Sequence, residues 1–292
     1  MIELYLNVAV NGVLMGLVYA LIAVGLTIIF GVMRIVNFAH GELVVAGMYV
    51  GYLVWERFGL SPLGGAAVAG PLAFAFGWLL QRFVVAPFVA RPQHIQFLLF
   101  IAFAFIITGI HLLAFGADPR SIFSPLSFEA VTFGILRIDL VRIQAALGAV
   151  LMMALLLLVI RFTSLGRRIR AAADNPLGAQ VVGIRIAQVY AATAGIGMAC
   201  AGVAGALVAP LFSIHPYIAP EFTLLAFVIV IIGGLGSLPG ALLGGLLIGT
   251  AEALAAVLVS PSLKSMFSYA LLILVLLLRP AGLFGMREAA RA

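Results

Sequence analysis

Charge is scarce in this chain. Only 9% of its 292 residues are Asp, Glu, Lys or Arg, while 65% are hydrophobic. A soluble domain carries about 25% charged residues on average. The shortage excludes an ordinary soluble enzyme or regulator. Lysine is rarer still, because Lys264 stands alone. No G-x-x-x-x-G-K-[ST] loop is present, so no nucleotide phosphate has a P-loop to occupy. The glycine-rich "GGLGSLPGALLGG" (233–245) has no lysine to hold one either. Cysteine occurs once, as Cys200 in "GMACAG", which excludes an internal disulfide. Its small neighbours predict a buried helix residue. His40, His94, His111 and His215 are scattered without metal-ligand spacing. No metal, no cofactor and no catalytic grouping is expected. The net charge of +6 does not point to nucleic acid, because no basic face is interleaved with aromatics.

Apolar runs fill the space that charge leaves. They fall near 5–30, 35–54, 62–86, 96–116, 141–160, 187–209, 222–254 and 263–278. About 20 such residues cross a bilayer core of about 30 Å. The pattern predicts an all-α polytopic membrane protein with about 7–8 membrane segments. The first run has no basic flank and no clear cleavage site, so it reads as a retained span. No linker is long enough to set off a soluble domain, and residues 1–292 read as a single membrane domain.

The arginines set a direction. Arg161, Arg167, Arg168, Arg170 and Arg185 crowd one loop, and Arg279, Arg287 and Arg291 close the chain beside Glu288. The positive-inside rule places both groups in the cytoplasm. Counting back by spans puts Asp118 to Arg142 outside, Arg82 and Arg91 inside, Glu56 and Arg57 outside, and Arg34 inside. The N-terminus, with Glu3 and no basic residue, falls outside. This scheme holds 11 of the 16 Lys/Arg inside and 5 outside. It also requires an even number of crossings between 185 and the C-terminus, where only three apolar runs are visible. The run at 222–254 is too long for one span and is interrupted by glycines and Pro239. A broken or re-entrant pair of helices there resolves the count. Two short full spans would resolve it as well.

Polar residues inside apolar runs are expensive and informative. Asn37, His40 and Glu42 lie in "IVNFAHGELVVAG", with Arg34 spaced as one helical turn before, and Glu252 lies in "IGTAEALAAV". They read either as the lining or gate of a polar pathway, or as latches between helices. Glycines four apart, Gly12/Gly16, Gly47/Gly51, Gly236/Gly240, Gly240/Gly244 and Gly245/Gly249, predict close helix contacts. Such contacts serve packing, or helices that slide past each other.

The segment "GRRIRAAADNPLGAQVVGI" (166–184) is patterned beyond what a solvated loop needs. Asp174 or Asn175 can accept from backbone N–H groups, and Pro176 suits a first helical position. A short helix near 176–183 is expected, with an apolar side "LGAQVV" framed by arginines. It reads as a docking element for a cytoplasmic partner, against a plain positive-inside anchor.

Four stretches carry a family resemblance: "NGVLMGLVYALIAVGLTIIFGVMRIVNFAHGEL" (11–43), 166–184, "GGLGSLPGALLGGLLIGTAE" (233–252) and "LRPAGLFG" (278–285). In order and spacing they resemble the permease subunits of bacterial ABC importers for branched-chain amino acids. The resemblance implies a machine of two permeases, two cytoplasmic ATPases and a periplasmic solute-binding protein in the bacterial inner membrane. It implies that 161–185 is the coupling segment, with Arg167, Arg170, Ala172, Asp174, Asn175 and Gly183 on the family's pattern. Asn37, Phe38 and His40 of its "NFAHG" element, with Glu42 beside them, and Gly233, Gly234 and Gly236 of its glycine-rich element, would line or gate the path, as would Glu252. "NFAHGE" is similar to one permease of such a pair and "ADNP" to the other, so the second permease is identical or homologous. Relatives carry amides, aromatic acids and other small carboxylates. The rival reading is a self-sufficient ion-coupled secondary transporter or channel, for which Glu42 and Glu252 are the candidate ion carboxylates.

Overall fold

The structure is a computed structural model that describes residues 1–123, 129–260 and 263–285. Arg287, Glu288 and Arg291 lie outside the described residues. Among the described residues, eleven α-helices and one β-hairpin follow in chain order. Seven helical stretches are long and apolar enough to cross a membrane.

The bundle is organised on α1 (Ile2–Met33) and α8 (Ile186–Val208). α1 has 32 residues, about 48 Å at 1.5 Å per residue. Every residue of α8 from Thr193 to Val208 is buried. Against α8 lie α2 (His40–Phe58) and α3 (Pro62–Leu80), the latter prolonged by a π turn and a 3-10 turn to Phe88. α4 (Gln93–Phe115) and α5 (Leu140–Phe162) flank them. α9 (Ala219–Gly233), α10 (Leu238–Leu258) and α11 (Lys264–Leu278) complete the bundle.

Lipid offers helices no hydrophobic reward for association, so backbones must approach closely. The glycines four apart do this. A Cβ placed on Gly12 would lie 2.9 Å from Gly249 O, and one on Gly16 would lie 2.8 Å from Gly245 O. This seam joins α1 to α10 in antiparallel sense. Gly47 and Gly51 meet Gly202 and Ala206 of α8, and Gly25 meets Gly197 and the buried Cys200. Both helices of each pair contribute small residues, which is what makes the contacts possible.

The long run at 222–254 is indeed divided. α9 ends at Gly233, the chain turns through 234–237, and α10 returns beside it. Gly234 and Gly236 sit at φ +99° and +82°, where a side chain would be strained. Ser237 then caps α10, accepting from Gly240 N at 3.1 Å. α8, α9, α10 and α11 therefore alternate in direction.

Two features lie outside the sequence expectation. First, residues 34–39 are not helical, so Arg34 is not one turn before Asn37 on a common helix. Arg34 closes α1 at φ 58°, exposed, and the chain runs back along the bundle before α2 begins. Second, the polar loop before α5 contains an antiparallel hairpin, β1 (Ala130–Phe133) and β2 (Leu136–Asp139), turned at Gly134 with φ +59°. Asn7 and Asn11 of α1 donate to the carbonyls of Ile135 and Arg137 at 2.8 and 3.4 Å. The N-terminal end of α1 thus shares one end of the bundle with the hairpin. Residues 279–285 lie at the opposite end: Leu283 N and Phe284 N donate to Ile232 O and Gly233 O at 2.8 and 3.0 Å.

Candidate functional site

The polar residues singled out in the sequence fall in three separate places. The first is a junction at mid-depth. A nitrogen of His40, Nε2, stands 2.9 Å from Ile22 O, so α2 starts level with the middle of α1. α9 starts there too, because Gly41 lies against Ala219 O and Thr223. Two helix N-termini therefore meet inside the bundle, each with unspent backbone donors. Side chains close two of them. Asn37 Oδ1 accepts from Ala39 N at 3.0 Å, and Thr223 Oγ1 accepts from Gly41 N at 2.9 Å. Irregular backbone is tolerated at such depth only when protein surrounds it, and Asn37, His40 and Glu42 are all buried. Phe38 packs edge-on to Phe97 of α4 at 4.6 Å and against Phe227 of α9 at 4.9 Å. Among the described residues, Asn37 Nδ2, His40 Nδ1 and Glu42 Oε2 have no hydrogen-bond partner.

The second place is the turn at 234–237. Gly236 lies 3.5 Å from where a Cβ of Gly31 would be, at the C-terminal end of α1. Gly233, Gly234 and Gly236 thus sit at one end of the bundle, away from the junction. The third place is Glu252 on α10, in the other half. It is buried and accepts at Oε1 from Ser268 Oγ of α11 at 2.7 Å. Tyr19 of α1 lies beside the same carboxylate.

At the end that holds residues 279–285, α5 leads into α6 (Ser164–Asp174) and α7 (Pro176–Val181). Thr163 caps α6 by accepting from Gly166 N at 3.0 Å. Gly166, Ile169 and Ala172 form its buried stripe, three residues apart. Arg167, Arg168 and Arg170 are exposed, and Arg170 donates back to Ile160 O. Asp174 ends α6, and it is Asn175 that caps α7, accepting from Gly178 N at 2.9 Å, with Pro176 at the first helical position. Gly183 then turns the chain at φ +84° into α8. Only Ala179 of α7 is buried. Leu177, Val181 and Val182 are 74, 87 and 74% exposed, and they lie together on α7 and its C-cap beside the arginines.

Tyr19, Thr223, Lys264 and Ser268 were not singled out for a site. Pro220 and Glu221 announce a helix start and could have drawn attention to Thr223. Ser268 carries no sequence signal, since only the fold brings it to Glu252.

Comparison with known proteins now bears on this arrangement. A family model described as the permease component of branched-chain amino acid transport systems matches residues 8–276. The chain is 33% identical to the high-affinity branched-chain amino acid transport system permease protein LivH of Escherichia coli K12, over 97% of this chain and 96% of the relative. It is 33% identical to the corresponding protein BraD of Pseudomonas aeruginosa, over 97% of each. A probable LivH of Methanocaldococcus jannaschii is 27% identical over 91% of this chain and 88% of the relative. No solved structure matches the chain. With its glycine-seamed bundle, mid-depth junction and capped α6–α7 pair, the chain belongs to the family of branched-chain amino acid transport system permeases.

Proposed function

We propose that the chain is the permease subunit of an ABC importer that moves a branched-chain or related small amino acid or carboxylate into the cytoplasm by alternating access. ATP hydrolysis belongs to two separate ATPase subunits. A second permease, identical or homologous, completes the membrane part, and a periplasmic solute-binding protein delivers the solute. Residues 1–292 act as one permease domain, with 161–185 as its coupling segment.

The observation that carries this reading is the exposed apolar edge of α7. Leu177 and Val181 stand on a six-residue helix fixed by the Asn175 cap. A helix too short to be stable alone, held by caps and offering bare apolar side chains beside arginines, fits a partner's groove. Arg167, Arg170 and Asp174 frame that contact. Buried Ala172 seats α6 on the bundle, and the turn at Gly183 leads α7 into α8.

With α6–α7 in the cytoplasm, the N-terminal end of α1 and the β-hairpin face outward, and residues 279–285 face inward. That arrangement agrees with the arginine distribution. ATP binding draws the docked ATPases together and tilts α5 and α8, which flank α6–α7. The tilt passes through the glycine seams to the junction of Asn37, Phe38, His40 and Glu42 and to the α9–α10 turn, where Gly233, Gly234 and Gly236 permit close sliding. The path then opens outward, receives solute, and resets on hydrolysis.

The test is co-purification from the native membrane. The expected result is an ATPase in stoichiometric amount, lost when 166–184 is replaced by a Gly/Ser linker in a chain that still reaches the membrane. Recovery without an ATPase, with ion-driven uptake by the chain alone in liposomes, would replace this reading with a secondary transporter.

A further inference from the structure

A chamber of about 420 Å³ opens beside Glu252 in the half of the bundle that holds the β-hairpin. Its wall brings Lys264 of α11 and Arg142 of α5 to the same space as Glu252 of α10. Met15, Leu211 and Val257 supply apolar wall. Tyr19 and Glu252 also line a second, smaller cavity of about 50 Å³, where Glu221 at the start of α9 faces them. The two cavities adjoin, with Tyr19, Phe212, Glu252 and Lys264 lining both.

We propose that this chamber is a subsite of the permease for a free zwitterionic amino acid, with Lys264 receiving the carboxylate and Glu252 the ammonium. The inference rests on the importer reading above. A carboxylate buried in an apolar bundle is costly and is retained for a partner, and Glu252 is buried. A structural latch would satisfy charges by direct pairing. Arg142 is satisfied in that way, by Asp139 at 3.2 Å, the one ion pair among the described residues, so Lys264 is the cation left for a solute. Lys264 and Glu252 share the wall without pairing. Each is instead held by a neutral neighbour. Lys264 Nζ lies 5.5 Å from the centre of the Phe212 ring, and Ser268 Oγ donates to Glu252. Opposite charges kept apart at one cavity, with apolar wall adjoining, match the three parts of an α-amino acid. A solute with only one charge would meet Lys264 or Glu252, but not both.

The experiment uses the permease complex with its ATPase, without solute-binding protein, in nanodiscs. Saturation-transfer NMR reads binding of L-leucine, of 4-methylpentanoate, which has no ammonium, and of 3-methylbutylamine, which has no carboxylate. Leucine is expected to bind at least tenfold more tightly than either analogue. Lys264→Met should weaken leucine at least tenfold and leave 3-methylbutylamine unchanged. Glu252→Gln should weaken leucine and leave 4-methylpentanoate unchanged. A purely structural role would weaken all three ligands together, and that result, or equal binding of all three, overturns the subsite. Absence of a leucine signal from a complex that accumulates leucine with its binding protein overturns the subsite and leaves the importer standing. A complex that brings no ATPase and accumulates no leucine removes the importer reading itself.

Discussion

The amide of Gly41 is closed by the hydroxyl of Thr223, 182 positions further along the chain, at 2.9 Å. That single bond ties the start of α2 to the start of α9 at the middle of the bundle. It exists because Gly41 has no side chain: a Cβ there would run into Ala219 O and lie 2.7 Å from Thr223 N.

Gly41→Ala is therefore expected to force the two helix starts apart. Overpacking of this kind costs about 1–3 kcal/mol. The measurement is thermal unfolding of the purified permease in detergent, with a clear drop in Tm expected. An unchanged Tm would mean that the junction relaxes freely.

Thr223→Val keeps the shape and removes the acceptor. A buried N–H left unsatisfied costs about 1–3 kcal/mol. Thr223→Ser restores the hydroxyl and should recover most of that stability. Equal loss in both variants would assign the effect to packing of the Thr methyl instead.

Much of the bundle was legible in the sequence, and what was not has physical causes. The turn at 234–237 was visible because Gly favours turns, Ser favours a cap and Pro suits the first turn of a helix. The break at 34–39 was not, since Ile35, Val36 and Phe38 are as apolar in extended chain as in a helix. Hydropathy measures transfer cost and is blind to backbone shape. The hairpin was hidden for the opposite reason. "AVTFGILRID" alternates as a strand does, with Gly134 at its turn, but it lies in a loop rich in charge. At 166–184 a cap at Asp174 or Asn175, followed by Pro176, was legible because capping is local. α6 was less so, as its buried stripe of Gly166, Ile169 and Ala172 holds only one large apolar side chain. The partners of Glu252 come from helices remote in sequence, and no local rule finds them.

Asn175→Ala should loosen α7 by about 1 kcal/mol, the usual worth of such a cap. Leu177→Asp and Val181→Asp should leave Tm unchanged, because both side chains are exposed. All three should reduce ATPase capture, the Asp variants by at least tenfold. Full retention of the ATPase in the Asp variants would move the docking surface elsewhere.

Cys200 is the only cysteine and is fully buried. It should resist maleimide until the protein is denatured. Introduced cysteines then report orientation without background. Thr132→Cys in the hairpin should react with an impermeant maleimide added outside intact cells, and Val181→Cys only after the membrane is opened. The reverse pattern would invert the proposed topology.

The backbone bonds from residues 283 and 284 to Ile232 and Gly233 have a bearing on biogenesis. The final carbonyls of α9 have no partner within their own helix, and the donors that satisfy them are made some fifty residues later. While the chain is still emerging from the ribosome, the α9–α10 corner is unfinished. A chain cut short before residue 283 would leave the carbonyls of Ile232 and Gly233 without these donors.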